Sequence, residues 1–175
     1  MSQAPDPNTL ETDRLILRPQ RVGDAAIFHQ LWTERDARVP PHRQIGPDGR
    51  PTEADIVSHI RAQQGGSSLG LLTVERKGAA VIGYCGLVFN GNGEAGEPEL
   101  AFELLRDFHN HGYATEAAWA VISRAADFGY PRLWATVWDW NVSSRRVLEK
   151  LGFRDTGRVN ADSVHGRSLL TVRDV

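Results

Sequence analysis

The sequence predicts a mixed α/β fold (an α+β mixed sheet) in which helices cover both faces of one sheet. Apolar runs typical of strands alternate with amphipathic helical segments, in the order β-α-α-β-β-β-α-β-α-β-β. Strand–helix–strand units place neighbouring strands parallel, whereas short connections elsewhere produce antiparallel hairpins. The central parallel pair is therefore expected to be the two strands on either side of the longest helix.

The first part of the chain predicts one strand and two helices. Residues 14–18 form a short apolar run closed by Pro19, and Asp24 is placed to cap a helix whose apolar face follows. Residues 38–51 hold four prolines and predict a long loop, a frequent place for binding residues. Thr52 and Asp55 match a capping box that opens the second helix, which Gly65–Gly66 is expected to end.

The remaining elements follow the same logic. Three strand-like runs cover residues 69–76, 81–89 and 99–105, and Lys77-Gly78 predicts a hairpin between the first two. A long helix is predicted over 112–130, with Phe128 on its apolar face, followed by a strand over 133–138. A short helix follows, which Asn141 caps and Gly152 ends. The chain finishes with strands over 153–159 and 168–175, joined through 160–166.

Composition excludes several classes of protein. The 175 residues predict one domain over 9–175, preceded by a flexible arm over 1–8. A net charge of −2, from 20 Lys plus Arg and 22 Asp plus Glu, gives no reason to expect nucleic acid. No apolar run reaches the about 20 residues of a membrane span, and no signal peptide is evident. One cysteine fits a reducing compartment, so a cytoplasmic location is expected.

The connection between the third strand run and the long helix has the character of an anion site. Free backbone N–H groups at the start of a helix, together with the helix dipole, favour an anion, and Gly112 allows a close approach. The P-loop and dinucleotide glycine patterns are both absent. An ordinary connection between strand and helix is the alternative.

Two motifs together resemble those of the GNAT acetyltransferases, and more narrowly the RimJ/RimL-type N-acetyltransferases. Gly-Tyr-Ala-Thr-Glu-Ala at 112–117 is similar to the run that opens the long helix in that family. Asn141, Ser144 and Leu-Glu-Lys-Leu-Gly-Phe at 148–153 match its later signature, and residues 10–19 look like its first strand. The resemblance spans residues 10 to about 155.

The resemblance implies a fold that splits between the two parallel strands and holds acetyl-CoA in the opening, without a metal. The pyrophosphate would bind backbone N–H groups, the pantetheine would pair with the strand like an extra strand, Asn141 would reach the amide region of the cofactor, and Ser144 would lie near its sulfur. The implied cofactor-binding residues are Leu104, Leu105, His109, Asn110, His111, Gly112, Tyr113, Ala114, Thr115, Asn141 and Ser144. The family usually has Gln or Arg, then a small residue, then often a basic residue at the positions held here by His109, Asn110 and His111. Because an ordinary histidine is mostly neutral at pH 7, this departure weakens charge pairing with phosphate.

The expected reaction is direct attack of a primary amine on acetyl-CoA in a ternary complex. Glu103 is the first candidate for the base and Glu99 the second; the alternatives are water and a purely structural role for both glutamates. Many relatives have a tyrosine acid where this chain has Leu148, which leaves Ser144 or water as the proton donor.

The acceptor stays open between a protein N-terminal α-amine and a small amine. Trp138 and Trp140, at the carboxyl end of a strand, and His42 in the long loop are candidate acceptor contacts. The His109-x-His111 pair lacks the further ligands of a metal site. A non-catalytic acyl-CoA-binding domain is the rival function, and the partners left open include a second copy of the chain in a homodimer.

Overall fold

The computed structural model describes residues 6–65 and 70–175, and it shows one mixed sheet with four helices in these ranges. The strands are β1 (Leu10–Glu11), β2 (Leu15–Pro19), β3 (Leu71–Arg76), β4 (Val81–Val88), β5 (Glu99–Leu104), β6 (Arg132–Trp138), β7 (Arg154–Ser163) and β8 (Gly166–Asp174). The helices are α1 (Ala25–Glu34), α2 (Glu53–Gln63), α3 (Tyr113–Asp127) and α4 (Val142–Lys150). The strand order is β1-β2-β3-β4-β5-β6-β8-β7.

The parallel pair lies at the centre of the sheet, on either side of the longest helix, as predicted. It consists of β5 and β6, and every other neighbouring pair is antiparallel. The two strands are in register at only one position, Glu99 opposite Trp134. Beyond that point they separate, so a gap opens toward their carboxyl ends. The predicted fold class, including the splayed central pair, is confirmed.

Helices cover both faces of the sheet. Side chains alternate along β4, so Cys85 faces one side and Tyr84 the other. The Cys85 face packs with α3, α4 and the inward residues of β2 and β6 into the main core. The Tyr84 face packs with α1 and α2, and the rings of Phe28 and Tyr84 meet edge to face with centroids 6.1 Å apart.

Several local predictions are confirmed and others are wrong. The Thr52–Asp55 capping box opens α2 as predicted. Asp24 precedes α1, but its carboxylate does not cap that helix; it accepts hydrogen bonds from Arg18, Thr73 and the N–H of Arg21. Phe128 was expected on the apolar face of α3, yet 48% of it is exposed, because α3 ends at Asp127 and the chain turns away from the core.

The boundaries differ most at the two ends of the chain. A two-residue strand, β1, precedes the predicted first strand. Residues 160–163, predicted as connection, continue β7, because they pair with β8 up to Ser163 opposite Gly166. Residues 6–8 of the predicted arm form a turn. Three predicted features lie outside the described residues: residues 1–5 of the arm, Gly66 at the predicted end of the second helix, and Leu69 at the start of a predicted strand.

None of the helices in the described ranges is both long and apolar enough to cross a membrane.

Candidate active site

The gap beside β5 is lined by backbone groups that the sheet does not use. The N–H of Leu105 donates to the carbonyl of Ile82 on β4 at 2.8 Å, and successive peptide groups of a strand alternate in direction. The N–H and C=O groups of Phe102 and Leu104 therefore face the gap. The carbonyl of Leu105 accepts from the N–H of Phe108 at 2.9 Å. Leu105 therefore has no free backbone group for the expected pantetheine contact, whereas the N–H of Leu104 faces the gap.

The loop from β5 to α3 presents a row of free N–H groups. Within the described ranges, the N–H groups of residues 110–115 have no hydrogen-bond acceptor. The N–H of His109, also expected to bind the pyrophosphate, donates to the carbonyl of Arg106 at 3.1 Å. Asn110 (φ 62°) and Gly112 (φ 79°) adopt left-handed conformations that turn the chain into α3. The geometry suits an anion.

The start of β2 is tied to this loop by a hydrogen-bonded ion pair. The Arg14 side chain donates to Glu116 at 2.7 Å through Nε and to the carbonyl of His111 at 2.9 Å through Nη1. The Thr12 hydroxyl also donates to Glu116. Burial opposes ionisation of Glu116, but the hydrogen bonds from Thr12 and Arg14 outweigh it and lower the pKa of its carboxyl. The first turn of α3 therefore carries a compensated negative charge.

A second arginine lies near the same loop. The guanidinium carbon of Arg76, at the end of β3, lies 5.6 Å from the centroid of the Tyr113 ring and 5.7 Å from that of Phe108. No carboxylate of the described residues lies within 4 Å of it. The half-buried guanidinium is therefore a cation available to a phosphate group.

Glu103 on β5 is fully engaged by protein groups. Both of its oxygens accept from Arg35 at 2.8 Å, and the Tyr84 hydroxyl donates to Oε2 at 2.7 Å. Arg35 also stacks on Trp32 and donates to the carbonyl of Arg43 in the long loop. Burial, and then the charge of Glu103, raise the pKa of the Tyr84 hydroxyl, which stays a donor. The pairing partner considered from sequence, Arg106, instead contacts Glu34.

Glu99 shares the face of β5 with Glu103 but has a different environment. Only 3% of Glu99 is exposed, and its Oε1 has no hydrogen-bond partner in the part of the chain that the structure describes. It lies where β5 and β6 begin to separate, opposite Trp134. A buried carboxylate oxygen without a donor is costly. A group that enters the gap and donates a proton or a hydrogen bond would relieve this cost.

The start of α4 brings Asn141 and Ser144 to the carboxyl end of β6. The Asn141 side-chain oxygen accepts from the N–H of Ser144 at 3.1 Å and so caps α4, which leaves the amide nitrogen of Asn141 for another partner. Leu148 is buried in the main core, so the place of the family's tyrosine acid is occupied by packing.

The two candidate acceptor tryptophans form a stacked pair. The rings of Trp138 and Trp140 are 5° from parallel with centroids 6.2 Å apart. Trp140 donates to the carbonyl of His165 at 2.8 Å, and the Arg38 guanidinium lies 4.2 Å from its ring centroid. A Cβ at Gly166 would come within 2.7 Å of the Trp140 ring, so glycine is required there.

His42 lies in a different part of the acceptor side. It belongs to a short 3₁₀ turn, Pro41–Arg43, inside the predicted long loop. It lines a shallow cavity of about 400 Å³ whose walls, made by the loop and the first turn of α2, include neither tryptophan. The structure therefore brings Trp138 and Trp140 together but does not join His42 to them.

The two loop histidines contact backbone carbonyls. A ring nitrogen of His109 lies 2.8 Å from the carbonyl oxygen of Leu104, and one of His111 lies 2.6 Å from that of His109. The described residues contain no group of three His, Cys, Asp or Glu side chains arranged to hold a metal ion.

Comparison with known proteins decides the family. Residues 14–154 match the acetyltransferase (GNAT) domain family. This chain is a GNAT acetyltransferase. An uncharacterised N-acetyltransferase of Bacillus licheniformis, p20, is 29% identical over 157 residues, or 85% of this chain and 84% of that protein. The GNAT chain is therefore an acetyl-CoA-dependent N-acetyltransferase, as predicted, and its acceptor is a separate question.

Solved structures share the fold of this GNAT chain. A GNAT-family acetyltransferase from Bordetella pertussis superposes with a TM-score of 0.73 at 25% identity, covering 94% of this chain and 98% of that one. The microcin C7 self-immunity acetyltransferase MccE, solved with acetyl-CoA and AMP, gives a TM-score of 0.73 at 16% identity, covering 97% and 98% of the two chains. The second likeness is one of fold alone.

Sequence reasoning missed the residues that join distant elements of this acetyltransferase. Arg14, Arg35 and Arg76 all act on groups far away in the chain, and no periodicity marks them. Glu116 stood inside the recognised motif without a role. Its signal was its position: an acidic residue in the first turn beside an anion site needs a cation nearby, and Arg14, just before β2, supplies one.

Proposed function

We propose that this GNAT chain transfers an acetyl group from acetyl-CoA, bound in the gap between β5 and β6, directly to a primary amine in a ternary complex. One observation carries the proposal: the N–H and C=O groups of Phe102 and the N–H of Leu104, which the sheet does not use, lead directly to the free N–H groups of residues 110–115. A polar, extended chain ending in a pyrophosphate matches this row of donors and acceptors. Structures of the same fold include one solved with acetyl-CoA.

Glu99 is the base in this proposal, in place of Glu103. Both oxygens of Glu103 already accept hydrogen bonds from Arg35, and Oε2 also accepts one from Tyr84, so the carboxylate is engaged by protein groups. Glu99 has an oxygen without a donor at the narrow end of the gap. A water between Glu99 and the acceptor would pass the proton to the carboxylate.

The chemical step balances with few groups. The amine nitrogen bonds to the thioester carbon while its proton moves, through water, to Glu99. The oxyanion accepts a hydrogen bond from the Phe102 N–H, which faces the gap between Leu104 and Glu99. Collapse of the tetrahedral intermediate breaks the carbon–sulfur bond, and the thiolate takes a proton from water, either directly or through the Ser144 hydroxyl, which regains a proton from solvent.

The acceptor we propose is an α-amine, as the RimJ/RimL-type resemblance implies, with a small amine as the second candidate. An α-amine titrates near pH 8, so a fraction of it is already neutral at pH 7, which suits a relayed carboxylate base. The stacked pair Trp138–Trp140 lies at the carboxyl end of β6 and offers a flat apolar contact for the acceptor.

A labelling experiment tests the function and the acceptor class together. Cell extract is incubated with labelled acetyl-CoA, with and without the protein, and proteins and metabolites are analysed separately by mass spectrometry. Label at protein N-termini supports the α-amine of a polypeptide, and label in metabolites supports a small amine. No enzyme-dependent label in either fraction, with CoA nevertheless bound, would favour the non-catalytic acyl-CoA-binding alternative.

A further inference from the structure

We infer that Arg14 and Glu116 are positioning residues that orient the phosphate-binding loop. Their pair, between the β1–β2 turn and α3, holds the peptide between His111 and Gly112 so that its N–H points into the anion site. This inference rests on the proposed cofactor site and adds the β1–β2 turn, residues 12–14, to the machinery that forms it.

The contacts converge on one side of the loop. Arg14 binds Glu116 with its Nε and its backbone N–H, at 2.7 and 2.9 Å. Its Nη1 donates to the His111 carbonyl at 2.9 Å, and its guanidinium carbon lies 4.4 Å from the centroid of the Tyr113 ring. One arginine thus joins a carboxylate, a loop carbonyl and an aromatic ring. A lysine cannot reproduce this planar set of donors.

The planarity of the peptide bond turns this contact into an orientation. In a trans peptide, the C=O of one residue and the N–H of the next point in opposite directions. Arg14 fixes the His111 carbonyl on the β2 side, so the Gly112 N–H points away from β2 and stays free. Gly112 lacks a Cβ and could accommodate other orientations of this peptide, and the arginine selects one.

The pair also removes a charge conflict. Glu116 lies in the first turn of α3, close to the N–H groups proposed to bind the phosphates. An uncompensated carboxylate there would repel the pyrophosphate. The hydrogen bonds from Thr12 and Arg14 cancel much of that repulsion, and they hold the pKa of the Glu116 carboxyl below its usual value, so the compensation persists at neutral pH. Loss of Arg14 would both release the peptide and expose the carboxylate to the phosphates.

The test compares ligands with and without phosphates. Calorimetry measures the affinity of the intact protein and of Arg14→Gln for CoA and for pantetheine, which lacks the phosphates. Steady-state kinetics follow with acetyl-CoA and acetyl-pantetheine. We expect Arg14→Gln to weaken CoA binding at least tenfold, to raise KM for acetyl-CoA with little change in kcat, and to leave pantetheine binding unchanged. Arg14→Lys should recover little of the loss.

The matched control is Arg124→Gln, because Arg124 also joins the amino-terminal segment to α3, through the Pro7 carbonyl, but in the last turn of the helix. It should leave both affinities unchanged. If Arg14→Gln does not fold, Arg14→Lys, which keeps the charge but not the planar set of donors, should show the same selective loss of CoA affinity.

Two results would overturn the inference: unchanged CoA affinity in a folded Arg14 variant, or equal losses for CoA and pantetheine. Failure of the parent protein to bind CoA at all would instead contradict the proposed function.

Discussion

Glu103→Gln and Glu99→Gln should have opposite consequences, although both replace a glutamate on the same face of β5. Glu103→Gln removes the charge that faces Arg35, whose side chain is only 9% exposed. Breaking a buried pair by removing one partner costs about 3–5 kcal/mol. Because the Glu103 side chain is 20% exposed and a glutamine still accepts one hydrogen bond, we expect a loss of about 2–3 kcal/mol in unfolding free energy.

Glu99→Gln should leave stability unchanged or raise it slightly. The buried Oε1 of Glu99 has no donor among the described residues, so the substitution removes an uncompensated carboxylate and breaks no ion pair. Its effect should fall on catalysis instead. Loss of the base should lower kcat/KM by about tenfold or more at pH 7, and by less at high pH, where solvent deprotonates the amine.

The assay is urea unfolding of both variants, followed by kcat/KM between pH 6 and pH 10 at a temperature where each is folded. Arg35→Gln combined with Glu103→Gln completes a double-mutant cycle, in which the coupling energy reports the ion pair. The reasoning is refuted if Glu103→Gln is as stable as the parent and loses its activity selectively at neutral pH while Glu99→Gln keeps the parent profile. Glu103 would then be the base, as first expected from the sequence.

Four further substitutions probe the active site and the core. Gly112→Val introduces a β-branched side chain at a φ of 79° in the phosphate loop, so calorimetry should show CoA affinity reduced at least tenfold, about 1.4 kcal/mol, and unchanged affinity would refute the placement. Asn141→Asp keeps the oxygen that caps α4 but replaces the free amide, so CoA binding should weaken while the melting temperature holds. Ser144→Ala should lower kcat and kcat/KM together; full turnover would make water the proton donor. Burial opposes ionisation of Asp24, but the hydrogen bonds that its carboxylate accepts, first from Arg18, outweigh burial and lower the pKa of that carboxyl. The contribution of Asp24 to stability is therefore present above the ordinary carboxyl pKa of 3.8 and is lost as the pH falls further. The destabilisation of Asp24→Asn in urea melts should thus be largest near pH 7 and shrink below pH of about 4; a constant difference would contradict this.

The architecture was predictable because local signals agreed. Apolar periodicity, the capping box at Thr52 and the separation of the two motifs all pointed to the same order of elements, and the parallel pair followed from the strand–helix–strand unit. Residues 160–163 were not predictable as strand. They are exposed on an edge and polar apart from Ala161, and pairing with β8 rather than burial makes them extended.

The fine structure of the site depended on information that the sequence carries only weakly. Whether Leu104 or Leu105 faces the gap is a matter of strand register, and one residue reverses the direction of every backbone group. The pairing of Arg35 with Glu103 spans 68 residues and is set by the packing of α1 on the sheet. Identical residue types at positions 99 and 103 thus acquired different environments that only the three-dimensional arrangement reveals.

A crystal structure of the protein with CoA tests the central claim most directly. The account predicts that the pantetheine lies between β5 and β6 and pairs with the backbone of Leu104, that the pyrophosphate accepts from N–H groups within residues 110–115, and that the sulfur lies near Ser144 on the side of Glu99. Density for CoA elsewhere, for instance in the cavity lined by His42, with the gap between β5 and β6 closed, would contradict it.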